Sequence, residues 1–115
     1  MGLDEMFGSS VRAAGDLAGV FEYDGETGYF YLYETEGGEG HKVLGSIHVL
    51  SGKPDFSEED VAIQWDSANR RVGLFIRDVL WAVFDESRTQ YGGSYRPGAT
   101  PQLPSDARTW FDTAS

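Results

Sequence analysis

The chain contains no cysteine. That excludes disulfides, thiolate metal sites and cysteine nucleophiles, and it is compatible with a reducing compartment. Histidine is scarce, with only His41 and His48, too few for a histidine-built metal centre. No run approaches the roughly 18 apolar residues of a membrane span. The opening MGLDEMFGSS carries Asp4 and Glu5 and no basic residue before Arg12, unlike the basic start and apolar run of a secretory signal. The expectation is a cytoplasmic protein with no membrane association.

Positive charge is also sparse: 9 Lys/Arg stand against 19 Asp/Glu, for a net charge of −10. The deficit is local. Residues 1–60 hold 13 acids and 3 bases, whereas residues 61–115 hold 6 of each. An acidic field repels phosphate backbones, which disfavours nucleic acid, and it attracts a basic partner or a cation. It also serves solubility alone.

What is present is the signature of strands. A chain of 115 residues is most simply one domain, large enough to bury roughly two thirds of its unfolded surface. GVFEYD (19–24) and GYFYLYE (28–34) are joined by a short glycine-bearing turn and read as a hairpin. KVLGSIHVL (42–50) follows, with Val43, Ile47 and Val49 on one face and Leu44, Ser46, His48 and Leu50 on the other. SGKPDFSEED (51–60) is a loop or a single helical turn with Ser57 and Asp60 as a cap pair. VAIQWD (61–66), VGLFIRD (72–78) and VLWAVFD (79–85) complete the pattern, with a tight reversal at Arg77 and Asp78.

The fold expected is all-β: a single antiparallel meander of about six strands curled into a half-barrel or open sandwich. A weaker first strand is sought in SSVRAA (9–14). Residues 1–17 form an arm, 18–86 the meander and 87–115 a tail. Three of the four prolines fall in that tail, which marks it as irregular chain. Its aromatic residues, Tyr91, Tyr95, Trp110 and Phe111, predict that it drapes on the sheet, and SDARTWF (105–111) can close it with a short helix capped by Ser105. Phe30, Leu32, Val61 or Val72, Ile63 or Leu74, Trp65 and Phe84 are the expected core.

In a strand, Tyr29, Tyr31 and Tyr33 point one way and Phe30 and Leu32 the other. Tyrosine has an apolar body and a polar tip, so the tyrosine face should be half wet. Three covers are open to it: the aromatic tail, which is slightly favoured, a partner or second subunit, or a small ligand. GYFYLY superficially resembles the base-stacking strand of RNA-recognition domains. Those need two long amphipathic helices and nearby basic residues; here the neighbours are Glu26, Glu34 and Glu36.

Candidate chemistry is thin. His48 with Asp24 or Glu26 forms a ligand set only if the strands bring them together. Glu34, Glu36 and Glu39 lack any recognised calcium-loop spacing. No G-x-S-x-G, phosphate-cradling or H-E-x-x-H motif is present. Asp24 and Glu26 in DGETG are the best acids for chemistry, although Asp in that setting ordinarily bonds its own turn. No metal and no cofactor is implied.

Together, VFEYDGETGYFYLYE, IHVL, VAIQWD, VGLFI, AVFD and YGGSYRP resemble a small bacterial domain family of unknown function, over about residues 19 to 97. The most specific piece is Asp24, Gly25, Glu26, Thr27, Gly28, Tyr29, Phe30 and Tyr31. His48 falls where that family's strand carries a histidine. The residue before AVFD is often histidine in the family and is Trp81 here, so a two-histidine site does not carry over. The resemblance implies a bacterial source and a shared fold, and no activity. The function expected is a non-enzymatic protein-binding module with an acidic surface, whose partner is a basic protein or a second copy. The alternative is a small-molecule- or metal-binding domain that uses His48, Asp24 and the face of Tyr29, Tyr31 and Tyr33.

Overall fold

The computed structural model describes residues 5–35, 42–96, 100–104 and 106–111. The strands are β1 (Met6–Val11), β2 (Leu17–Tyr23), β3 (Thr27–Glu34), β4 (Lys42–Ser51), β5 (Val61–Trp65), β6 (Arg71–Ile76), β7 (Val79–Asp85) and β8 (Gln90–Gly92). They form two four-stranded antiparallel sheets, each in chain order: β1-β2-β3-β4 and β5-β6-β7-β8. The fold is therefore all-β and an open sandwich, with eight strands where six were expected. The stretch 51–60 does not return the chain beside β4. It carries it to the other sheet through one 3-10 turn, Glu58–Asp60, where Ser57 N donates to Asp60 Oδ2 at 3.0 Å. The two added strands, β1 and β8, are the outer edges of their sheets; β8 has three residues, and β1 overlaps the first strand sought in 9–14. Among described helical segments none is long and apolar enough to cross a membrane.

Two of the turns are set by local chemistry and backbone geometry. Asp24 Oδ1 accepts the N–H groups of Glu26 and Thr27 at 2.9 and 2.8 Å, which closes β2 onto β3. Arg77 and Asp78 both have positive φ, 53° and 68°; two such central residues make the tight reversal whose twist matches a hairpin.

The core lies between the sheets. Phe21, Tyr23, Phe30, Leu32, Ile47 and Val49 meet Val72, Leu74, Ile76, Ala82 and Phe84, and the rings of Phe30 and Phe84 sit 5.4 Å apart. Of the expected pairs, Val72 and Leu74 are the fully buried members. Val61, Ile63 and Trp65 pack against the same core from the edge strand and are only partly buried. The sheets approach so closely at Gly19 that a Cβ there would stand 2.6 Å from Val72 Cγ2.

Each seam of the sandwich is stitched differently. Along β1 and β5 the stitches are side chains. Glu58 Oε2 accepts Phe7 N at 2.9 Å, Trp65 Nε1 donates to Ser10 O at 2.9 Å, and Asn69 Oδ1 accepts Ala13 N at 2.8 Å. Arg12 joins them with two bonds to Asp16 at 2.6 and 2.7 Å and one to Asn69 O at 2.9 Å. Along β4 the stitches are backbone. Gly93 N donates to Trp81 O at 2.8 Å in one sheet, while Ser94 N and Tyr95 N donate to His48 O and Val49 O at 3.1 and 2.5 Å in the other. Gly92, Gly93 and Ser94 all have positive φ, 83°, 108° and 54°. A Cβ on Gly92 would overlap the Trp81 carbonyl oxygen, so YGGSY is a backbone crossing that needs its glycines.

The tail does drape on a sheet, but not over the tyrosines. Tyr91, Leu103, Trp110 and Phe111 pack on Phe75, Leu80 and Val83, the outer face of the second sheet. Phe111 meets Phe75 edge to face at 5.5 Å, and the Arg71 guanidinium lies 4.3 Å from the Trp110 ring centre. The closing turn is a 3-10 segment, Ala107–Phe111; the expected cap, Ser105, lies outside the described residues. The tail's aromatic residues cannot reach the tyrosine face, because Tyr95 is held at the seam by Trp81 and Phe56, 4.7 and 5.0 Å away.

Two substitutions test this packing. Leu74→Ala should cost about 2–5 kcal/mol in denaturant unfolding; a loss below roughly 1 kcal/mol contradicts its place in the core. Gly92→Ala should cost more than about 1 kcal/mol, through positive φ and collision with Trp81. A neutral result would mean that the YGGSY crossing is not the seam.

Candidate functional site

The outer face of the first sheet is built by strand register. Three rungs cross it: Phe7, Glu22, Tyr29 and His48; Ser9, Val20, Tyr31 and Ser46; Val11, Ala18, Tyr33 and Val43. Alternation puts all of these on one side of the pleat. On β4 the expected division of faces fails. Register shifts lie between Gly28 and Tyr29 and between Leu32 and Tyr33. Each bulge passes over one residue of β4 and moves its parity. Val43 therefore stands outward beside Tyr33, away from the core residues Ile47 and Val49, and Leu50 turns inward, away from Ser46 and His48.

Large residues flank small ones across these rungs. Phe7 and Val11 on β1 make one wall, Tyr31 and Tyr33 on β3 the other, and Ser9, Ala18 and Val20 the floor between them. The result is a trough of about 550 Å³, closed at one end by Glu22 and at the other by Thr35 and Val43. Phe7, Val11 and Val43 are 55, 54 and 53% exposed, unusual for apolar residues gathered on one face. Tyr29 and Tyr31 stack with ring centres 6.0 Å apart. Burial, followed by the charge of Glu22, pushes the Tyr31 phenol above its ordinary pKa.

The expected site residues are brought together only in part. Tyr29, Tyr31, Tyr33 and His48 share the face, and His48 packs edge-on against Tyr29 at 5.4 Å. Its Nε2 pairs with Ser51 Oγ at 2.9 Å. Asp24 and Glu26 sit in the turn beyond the Glu22 rung. Asp24 Oδ1 is occupied by its own turn, and Glu26 contributes its carbonyl to Gly52 N at 2.7 Å. Among the described residues no three His, Asp or Glu side chains form a metal-holding group. Glu36, Glu39 and His41 lie outside the described residues. Sequence reasoning missed Phe7, Val11, Ala18, Val20 and Glu22. The alternation of Phe7, Ser9 and Val11 was the available signal; the first strand was sought at 9–14, and β1 runs Met6–Val11, so Phe7 fell outside it.

The family comparison spans nearly the whole chain. A family model described as "Uncharacterized protein conserved in bacteria (DUF2251)" matches residues 1–114. The chain belongs to this family. The match extends the family resemblance from residues 19–97 to β1 and the C-terminal tail, so both walls of the trough lie within the family's domain. No curated protein and no solved structure matches the chain.

Hydrogen bonds from Thr27 and Glu26 N–H hold the Asp24 carboxyl below its ordinary pKa, and the Arg12 guanidinium does the same for Asp16. A depressed carboxyl adds stability that is fully present above the unfolded value, about 4, and is lost as pH falls through the folded value. Stability of the wild type should therefore decline with acidification below about pH 4. Asp24→Asn, which keeps the acceptor oxygen, should decline less steeply in urea titrations over the same window. Identical slopes would remove Asp24 from the account.

Proposed function

We propose that this family member is a non-enzymatic protein-binding module, and that the outer face of its first sheet is the docking surface. One contrast carries the reading. The chain lays its aromatic tail over the outer face of the second sheet, whereas among the described residues nothing lies over the apolar trough of the first. Rigid strands present its aromatic walls, and aromatic anchors on a fixed scaffold are the usual source of binding energy between proteins. The charge of the N-terminal half makes a basic partner the better fit. The cysteine-free composition suits a reducing bacterial cytoplasm.

The small-molecule or metal alternative loses support in the geometry. His48 is paired with Ser51, and Asp24 is turned into its own loop.

Val20→Glu places a charge on the trough floor, and Ala62→Glu places one on the exposed outer side of β5 as a matched control. A partner captured from the source bacterium with the tagged full chain, then identified and purified, should bind wild type and Ala62→Glu alike. Val20→Glu should weaken it at least tenfold with no change in fold by circular dichroism, as expected when a hot spot of about 1.4 kcal/mol or more is lost. Equal binding by all three, or the absence of any specific partner, contradicts the docking surface.

A further inference from the structure

At its Glu22 end the trough adjoins a second hollow of about 500 Å³, which shares Phe7 and Glu22 with it and is edged by Glu5, Asp24 and Glu58. Four carboxylates thus gather at one end of an apolar channel. No Lys or Arg lines either hollow. Among the described residues none of the four carboxylates is in an ion pair. Glu58 is engaged through one oxygen by Phe7 N, which fixes it beside the channel mouth. Among the described lining residues, Thr35 and Val43 at the opposite end carry no charge. The described lining is therefore apolar along its length and anionic at the Glu22 mouth.

Building on the proposed docking surface, we propose that its occupant is a protein segment with apolar side chains in the trough and a Lys or Arg seated at the Glu22 mouth. A cation there meets a concentrated negative field, and an Arg can also stack on the exposed Phe7 ring. From Phe7 to Val11 the trough is about 13 Å long at 3.3 Å per residue. That length fits about four extended residues, so the basic residue stands within four positions of its apolar companions. A second copy of this chain fits poorly, because it carries the same net charge of −10 and the corresponding face has no Lys or Arg among its lining residues to seat at the Glu22 mouth. Phosphate-bearing ligands meet the same repulsion.

Selection from a random peptide library displayed on phage, against the full chain, tests the occupant directly. Peptides that bind wild type and are lost on both Val20→Glu and Tyr31→Ala should be enriched in Lys or Arg within about four residues of Leu, Ile, Phe or Trp. By fluorescence anisotropy, Glu22→Gln should weaken such a peptide about two- to fivefold. Added salt should shrink the difference. Selection against Glu22→Lys should lose the basic preference and keep the apolar one. Peptides that depend on Val20 and Tyr31 but show no basic preference, and do not respond to Glu22→Lys, overturn the cation anchor and leave the docking surface standing. If no selected peptide depends on Val20 or Tyr31, the docking surface itself falls, and the inference with it. Sedimentation showing self-association that Val20→Glu abolishes makes a second copy the occupant and also overturns the inference.

Discussion

Two sheets have four faces, and pressing them together hides only two. That constraint governs this protein. The shared core takes the inward residues of β2, β3, β4, β6 and β7, and the close approach at Gly19 leaves no room for a slip of register. A one-residue slip in β2 would turn Phe21 and Tyr23 outward and bring Glu22 in. The two remaining faces are then treated in opposite ways. One receives the C-terminal tail, with Phe111 and Trp110 laid on Phe75 and Arg71. The other keeps its tyrosines and valines at the surface.

The seams explain why the tail goes where it does. Gly92 and Gly93 adopt positive φ and lead the chain from β8 across to β4, where Ser94 and Tyr95 bond the His48 and Val49 carbonyls. This crossing also protects the β4 edge, which would otherwise present free backbone groups to another chain. Tyr95 is then held at the seam: burial, followed by its bond to Asp55, pushes its phenol pKa up to about 12. With Tyr95 anchored beside Trp81 and Phe56, Leu103, Trp110 and Phe111 lie over the second sheet.

Much of this was legible in the residues. The alternation in GVFEYD, GYFYLYE and VAIQWD gave those strands, and in the last two their inward sets; the Arg77–Asp78 reversal and the DGETG turn appear where they were expected. The misreadings have physical causes. β1 buries only Met6, so its sequence carries little strand signal; the strand was sought three residues too late, at 9–14, and with that went the Phe7 end of one trough wall. Two bulges opposite β4 changed its facing, and periodicity alone does not register a bulge. The tail's destination depends on the backbone at two glycines, which no pattern of apolar residues encodes. Tyr29, Tyr31 and Tyr33 were read correctly as half-wet, but their neighbours Val20 and Glu22 become theirs only through strand pairing.

The central claim is an asymmetry: one outer face open, the other covered. Solvent paramagnetic relaxation of the full-length chain by NMR, with a neutral soluble gadolinium chelate as the probe, measures it without any partner. Side-chain signals of Phe7, Val11 and Tyr31 should broaden strongly, while those of Phe75, Leu80 and Val83 stay protected beneath the tail. Strong broadening of Phe75 and Val83 with protection of Phe7, Val11 and Tyr31 would contradict the account.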